Sequence, residues 1–295
     1  MALLENPLLG TADPAAAQLF NAGGQSQFLI TGDHAGNAIP HRLETLGLTD
    51  ADRARHIAWD IGVHDLGKAL AHALDAPFIL QHYSRLVIDC NRDPAHPDAA
   101  PAVADGSVIP GNAGLAPSQL AARVAAIHAP YHDRIAAELA RRADEPRPTI
   151  LLALHSFTPT LGRTSRPWHA GILHDGGDTR FAKALLAALG SRPDLIVGDN
   201  EPYRMDTTDY SVPRHAYPDR LPYAEIEIRQ DLLADAAGVA SWSQTLCSAC
   251  ETALENTATT GQTFSRHPRG TLSIPPALRH MRPSATHKSR QRQDD

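Results

Sequence analysis

Short apolar bursts alternate along the chain with longer stretches in which apolar residues recur every three or four positions. The bursts predict strands at Phe28-Leu-Ile-Thr31, Pro77-Phe-Ile-Leu80, Leu86-Val-Ile-Asp89, Thr149-Ile-Leu-Leu-Ala-Leu154, His169-Ala-Gly-Ile-Leu173, Leu195-Ile-Val197 and Tyr223-Ala-Glu-Ile-Glu-Ile228. The periodic stretches predict helices. One runs near 50–74, opened by the self-capping Thr49-Asp-Ala-Asp52 and striped by Trp59, Val63, Leu66, Leu70 and Leu74. A second, near 118–142, carries Leu120, Val124, Ile127, Ile135 and Leu139, and Pro130 is expected to kink or split it. A third, near 231–255, carries Leu232, Ala236, Val239, Trp242, Leu246, Cys250 and Leu254, and a shorter helix is expected near 179–189.

Strands separated by helices predict an α/β fold: a mixed, mostly parallel sheet with helices on both faces and its site at the carboxyl ends of the strands. Segments 92–117 and 199–222 read as long functional loops. After about Gln262 come seven Lys or Arg against two Asp with almost no apolar periodicity. The expected organisation is a single α/β domain over 1–262 and a basic, disordered tail over 263–295.

Composition narrows the classes. With 27 Lys+Arg against 33 Asp+Glu in 295 residues the formal charge is −6, which disfavours a nucleic-acid binder. At 42% hydrophobic and 20% charged, the chain has the means to bury a large core. Three cysteines, Cys90, Cys247 and Cys250, make no disulfide framework, and no secretory or membrane-spanning run is visible, so a soluble, cytoplasmic protein is expected. Sixteen histidines are many, and imidazole serves both metal ligation and proton transfer.

Four expected strand ends carry ionisable side chains. His34 follows the first strand in a turn flanked by Gly32 and Gly36, and His155 follows the strand at 149–154. Two such histidines with one carboxylate make a three-ligand zinc site with a position open for water, and Asp60 is the candidate carboxylate. His64, four residues after Asp60 and so on the same face of the expected helix, is a second candidate ligand. Glu225 and Glu227 share one side of the last strand, where carboxylates between isoleucines are costly to bury unless paired or functional, so at least one is expected to face the site as a base. Arg85 and Arg92 flank Asp89, and Arg229 follows the glutamate strand. Guanidinium forks suit an anionic substrate group, with a salt bridge to Asp89 as the alternative use. Cys247-Ser-Ala-Cys250 lies inside a helical period and reads as packing. No GxGxxG, GxxxxGK[ST] or GxSxG occurs, which removes nucleotide-binding and serine-hydrolase readings.

Gly32-Asp-His34-Ala-Gly36-Asn-Ala-Ile-Pro40, Trp59-Asp60-Ile-Gly-Val63, Tyr83-Ser-Arg85-Leu-Val-Ile-Asp89-Cys-Asn91-Arg92, Pro130-Tyr-His132, Leu154-His155-Ser-Phe157, Asn200-Glu-Pro-Tyr203 and Ile226-Glu227-Ile228 follow one another in order. Over roughly residues 25–255 this set resembles the N-formylglutamate amidohydrolase family. The resemblance implies a phosphorylase/hydrolase-like fold akin to zinc carboxypeptidases and zinc-dependent muramoyl-alanine amidases. It implies His34, Asp60 and His155 as ligands of one Zn2+ or another divalent metal, and Glu227 as the base, with Glu225 one register step away. Arg85, Asn91 and Arg92, with Arg229, would grip substrate carboxylates, and His132 or His215 would stabilise the oxyanion. Two positions depart from the family pattern: Gly62, where a histidine is common, and Glu225, where a neutral residue is commoner. The expected activity is hydrolysis of a small anionic N-acyl amino acid, foremost N-formyl-L-glutamate to formate and glutamate. Alternatives are a zinc amidase or deacylase for another N-acyl amino acid or peptide amide, or a non-catalytic binding protein on this scaffold. Neither nucleic acid nor membrane is an expected partner, and the oligomeric state is left open.

Overall fold

A computed structural model describes residues 7–145, 148–259 and Phe264. In chain order it contains β1 (Ala17–Phe20), β2 (Phe28–Gly32), α1 (Asp50–Arg53), α2 (Val63–Ala73), β3 (Phe78–Gln81), the hairpin β4 (Val103–Ala104) and β5 (Ser107–Val108), α3 (Pro117–Arg123) and α4 (Ala129–Arg142). There follow β6 (Ile150–Phe157), the hairpin β7 (Thr160–Leu161) and β8 (Thr164–Ser165), β9 (Ala170–Leu173), α5 (Arg180–Gly190), β10 (Val197–Asp199), α6 (Ser211–His215), β11 (Tyr223–Arg229) and α7 (Ala236–Thr259). Seven strands form one sheet in the order β1-β3-β2-β6-β11-β9-β10. Neighbours are parallel except β1 on β3 and β9 on β11, so the mixed, mostly parallel sheet is the expected one.

Side chains alternate across each strand, and both faces are covered. Phe28, Ile30, Phe78, Leu80, Leu152, Leu154, Ala224 and Ile226 point toward α2, α5 and α7. Leu29, Ile79, Leu151, Ala153, Leu173 and Tyr223 point the other way, toward Ile127, Tyr131 and Ile135 of the α3–α4 arm and the loops. Two-sided burial is why β2 and β6 read as unbroken apolar runs. The parity of β6 and β11 then sends His155, Glu225 and Glu227 to the second face, where loops leave room for a site.

Several elements differ from the sequence reading. The helix expected over 50–74 is two: Thr49 Oγ1 accepts from the Asp52 amide (3.1 Å) to cap α1, but the chain leaves the helix after Arg53 and resumes only at Val63. Gly62 at φ +86°, a conformation that favours glycine, starts the second piece. Asp60 and His64 therefore do not share a helix face. The second helix is divided as expected near Pro130, into α3 and α4. Pro130 follows a π-helical turn, Val124–His128, which joins the two. Leu86–Asp89 forms no strand; Leu86, Val87 and Ile88 are buried in a compact turn closed by Val87 N–H donating to Ser84 O (2.9 Å). The edge strand β1 had no visible signal. The expected tail lies outside the described residues, apart from Phe264, whose ring meets Phe181 (centroids 6.3 Å apart). Among the described residues no helix is long and apolar enough to cross a membrane.

Candidate metal centre and active site

Three adjacent pieces of chain meet at the carboxyl ends of β2 and β6. His34 follows β2, His155 lies near the end of β6, and the loop holding Asp60 is pinned to them by the Asp60 amide donating to His34 O (2.9 Å). His34 Nδ1 lies 3.3 Å and His155 Nδ1 2.9 Å from the same oxygen, Asp60 Oδ2. The three side chains are buried, and each offers a ligand atom within 4.8 Å of the others.

The donor set fits a divalent ion. Two imidazole nitrogens and one carboxylate oxygen are the chemistry of an open zinc site. His34 Nε2 is 2.7 Å from Asp89 Oδ1 and donates to it, so Nδ1, on the Asp60 side, is the atom that would ligate an ion. His155 Nε2 has no hydrogen-bond partner and faces Asp33 Oδ2 at 3.8 Å. Burial opposes charge on both rings, yet the carboxylates of Asp89 and Asp60 for His34, and of Asp60, Glu225 and Glu227 for His155, outweigh it and push both imidazoles up. The field of the pocket favours a cation among these groups.

Glu227 stands directly beside His155 in the β6–β11 ladder, and Glu225 one pair deeper beside Ala153. Both are buried, and Oε2 of each lacks a partner. Burial, against the opposing pull of His155, raises the Glu227 carboxyl to about 7. Burial also pushes Glu225 well above the carboxylate range, with Asp209, Glu227 and Asp33 adding to it.

The other expected site residues lie differently. Arg85 Nε and Nη2 both donate to Asp89 Oδ2 (3.1 and 2.8 Å), with Nη1 3.6 Å from Asp60, so the salt-bridge alternative is the one seen. Asn91 Oδ1 accepts from the amides of Tyr210 and Ser211 (3.0 and 2.9 Å), holding the start of α6. Arg92 Nη1 donates to the carbonyls of Asn91 and Thr208 (2.8 and 3.3 Å). Arg229 pairs with Asp231 (2.8 Å) and also donates to Pro167 O and Trp168 O (3.3 and 3.4 Å). His132 and His215 are not joined to the cluster. They bond each other (2.9 Å), and His132 Nε2 donates to Cys90 O (2.9 Å), so the pair braces the loop that carries Asp89. His64 bonds its neighbour Asp65 (2.9 Å), away from the cluster.

Sequence reading gave no role to Asp33, Arg166, Tyr203 or Asp209. Tyr131 donates to Asp33 Oδ1, and Asn91 Nδ2 donates to Asp209 (3.3 Å). A cleft of about 860 Å3 lined by Asp209, Asp206, Asp199, His174, Arg204 and Tyr217 opens on that side. These residues sit in turns and loops without periodicity; Asp33, in Gly32-Asp-His34, and Tyr203, in Asn200-Glu-Pro-Tyr203, were visible within motifs.

A doubly covered α/β sheet with a buried His-Asp-His cluster at its strand ends and a glutamate beside it defines a hydrolase scaffold with a candidate metal centre. The chain belongs to the N-formylglutamate amidohydrolase family, whose model matches residues 26–234. It is similar to a gene product of Agrobacterium tumefaciens of known crystal structure: 34% identity, 85% of this chain and 99% of that one, TM-score 0.82. It shares its fold with an N-formylglutamate amidohydrolase from Ralstonia eutropha at 19% identity, over 84% of this chain and 100% of the other, TM-score 0.58. No curated protein matches the chain. Family membership makes the protein a hydrolase acting on the amide of an N-acyl amino acid.

Proposed function

We propose that the protein hydrolyses N-formyl-L-glutamate, or a close N-acyl amino acid, to the free acid and amino acid, with a divalent metal, zinc by its donor set. The observation that carries this reading is the meeting of His34 Nδ1, His155 Nδ1 and Asp60 Oδ2 beside an unpartnered, buried Glu227. The ion would be held by those three atoms, and the chemistry it supplies when bound is polarisation of the acyl carbonyl and acidification of water.

The protein's own residues do the rest. Asp89 fixes the His34 ring, and Arg85 in turn fixes Asp89. Glu227 accepts the proton of the attacking water and delivers it to the departing amino nitrogen. A carboxyl poised near 7 suits both halves of that transfer. Glu225, one pair deeper on the same strand, is pushed well above the ordinary carboxylate range by burial and takes no part in the transfer.

The test is metal content measured together with amino-acid release from N-formyl and N-acetyl amino acids, before and after chelation. One bound metal per chain, release abolished by chelator and restored by zinc are expected. Undiminished release from metal-free protein would overturn the metal reading, and no release from any N-acyl amino acid would overturn the substrate class.

A further inference from the structure

Arg166 is a buried cation without a carboxylate. It is 6% exposed; Nη1 donates to the Tyr203 hydroxyl (2.9 Å) and the guanidinium lies over the Tyr203 ring, 4.5 Å from its centroid. Among the described residues no Asp or Glu pairs with it, and Nε and Nη2 have no protein acceptor. The arginines near the cluster are committed elsewhere: Arg85 to Asp89, Arg92 to two carbonyls, Arg229 to Asp231. A guanidinium taken out of water needs a partner, and its planar fork matches a carboxylate.

The segments holding this pair are fastened beside Glu227. Gly171 of β9 stands opposite Glu227 of β11, on the same face, and a Cβ at Gly171 would lie 1.8 Å from the Glu201 carbonyl oxygen. The loop leading to Tyr203 is thus laid on the sheet next to the glutamate. On the other flank, Arg229, two residues beyond Glu227, holds the carbonyls of Pro167 and Trp168 directly after Arg166. Tyr203 is 40% exposed, and its partial burial together with the charges of Glu227 and Asp60 disfavours ionisation of its hydroxyl, against the pull of Arg166.

We propose that Arg166, together with the Tyr203 hydroxyl, anchors the α-carboxylate of the substrate. The proposal rests on the amidohydrolase reading above. In an N-acyl amino acid the α-carboxylate is two bonds from the scissile nitrogen, the atom Glu227 must reach. An anchor fastened next to Glu227 therefore holds that group, not the more distant end of the side chain. The fork left open by Tyr203 accepts it in bidentate fashion.

The experiment compares kcat and KM for N-formyl-L-glutamate and for its α-carboxamide in wild type, Arg166→Met, Arg166→Lys and Tyr203→Phe. Wild type is expected to prefer the carboxylate on the order of 100-fold. In Arg166→Met the loss falls on the carboxylate substrate, mainly as a raised KM, and the preference collapses toward unity; Arg166→Lys keeps part of it. An unchanged preference in Arg166→Met overturns the anchor. If that variant does not fold, Arg166→Lys and Tyr203→Phe carry the test, each lowering the preference on the order of tenfold. If wild type turns over neither compound, the amidohydrolase reading fails on its own, and calorimetric binding of N-acetyl-L-glutamate then tests the anchor. Binding lost in Arg166→Met and absent for the α-carboxamide supports it; equal binding by wild type and variant overturns it.

Discussion

Two glutamates on one strand sit at different depths, and the proposed mechanism gives them different tasks. Glu227 is level with His155 at the open end of the ladder, whereas Glu225 is one pair further in, among Asp33, Asp209 and His155. Replacing Glu227 by Gln keeps its shape and removes the proton acceptor, so kcat is expected to fall about 10^2- to 10^4-fold with metal content unchanged. Glu225→Gln alters a carboxyl set one pair deeper than His155 and is expected to leave kcat within about threefold, well short of a general base's contribution. Steady-state kinetics with metal analysis decide between them; the reverse pattern assigns the base to Glu225. Asp89→Asn frees the His34 ring, and an affinity loss of about 10- to 100-fold for zinc is expected in a chelator-competition titration. His34, His155 and the glutamate pair were legible because an ionisable side chain ending a buried apolar run has few other reasons to be there. Arg166 was not, because its meaning lies in a missing carboxylate and in Tyr203, 37 residues away.

Periodicity reported where apolar faces lie but not where the backbone turns. The stripe through Trp59 and Val63 ran across a real break, since Trp59 lies in the loop and only Val63, Leu66 and Leu70 belong to α2. The signal was Gly62, whose φ of +86° and whose contact with Leu233, 2.4 Å from where a Cβ would sit, demand the absence of a side chain. Gly62→Ala is expected to cost about 1–3 kcal/mol for the conformation alone, more with the clash, and to shift Asp60. Thermal melts with and without zinc check both effects. The brace between α4 and α6 gives a pH dependence. Burial, helped by the charge of Arg214, lowers His215 to about 3, so the folded protein refuses a proton that the unfolded chain accepts below about 6.5. Stability from this group is present above 6.5 and lost as pH falls toward 3, amounting to about 2 kcal/mol at pH 5. His215→Asn, which does not titrate, is expected to destabilise less at pH 5 than at pH 7.5 in denaturant melts, and an equal penalty at both would contradict the neutral-histidine brace.

At the scale of the molecule, the alternation of apolar bursts and helical stripes already carried the fold class, because a sheet buried on both faces leaves that pattern whatever its strand order. The order itself was not legible: β6 reaches its place between β2 and β11 only through contacts far apart in sequence. That topology makes the cluster a tie across the fold. His34 belongs to β2, His155 to the neighbouring β6, and Asp60 to the loop that delivers α2 to the opposite face. An ion held by all three binds the folded chain and not the unfolded one, so at a free concentration 100 times Kd it adds about 2.7 kcal/mol. For a domain of this size that is a rise of roughly 5–10 °C in Tm. Asp60→Asn is expected to abolish the zinc-dependent rise. His64→Asn, which alters a half-exposed histidine bonded to Asp65, is expected to keep it in full. With 16 histidines in the chain, adventitious zinc is a real competitor, and the contrast between these variants separates the two. A rise surviving Asp60→Asn would place the ion elsewhere, whereas a rise lost in Asp60→Asn and kept in Glu227→Gln would put the ligands and the base on separate residues.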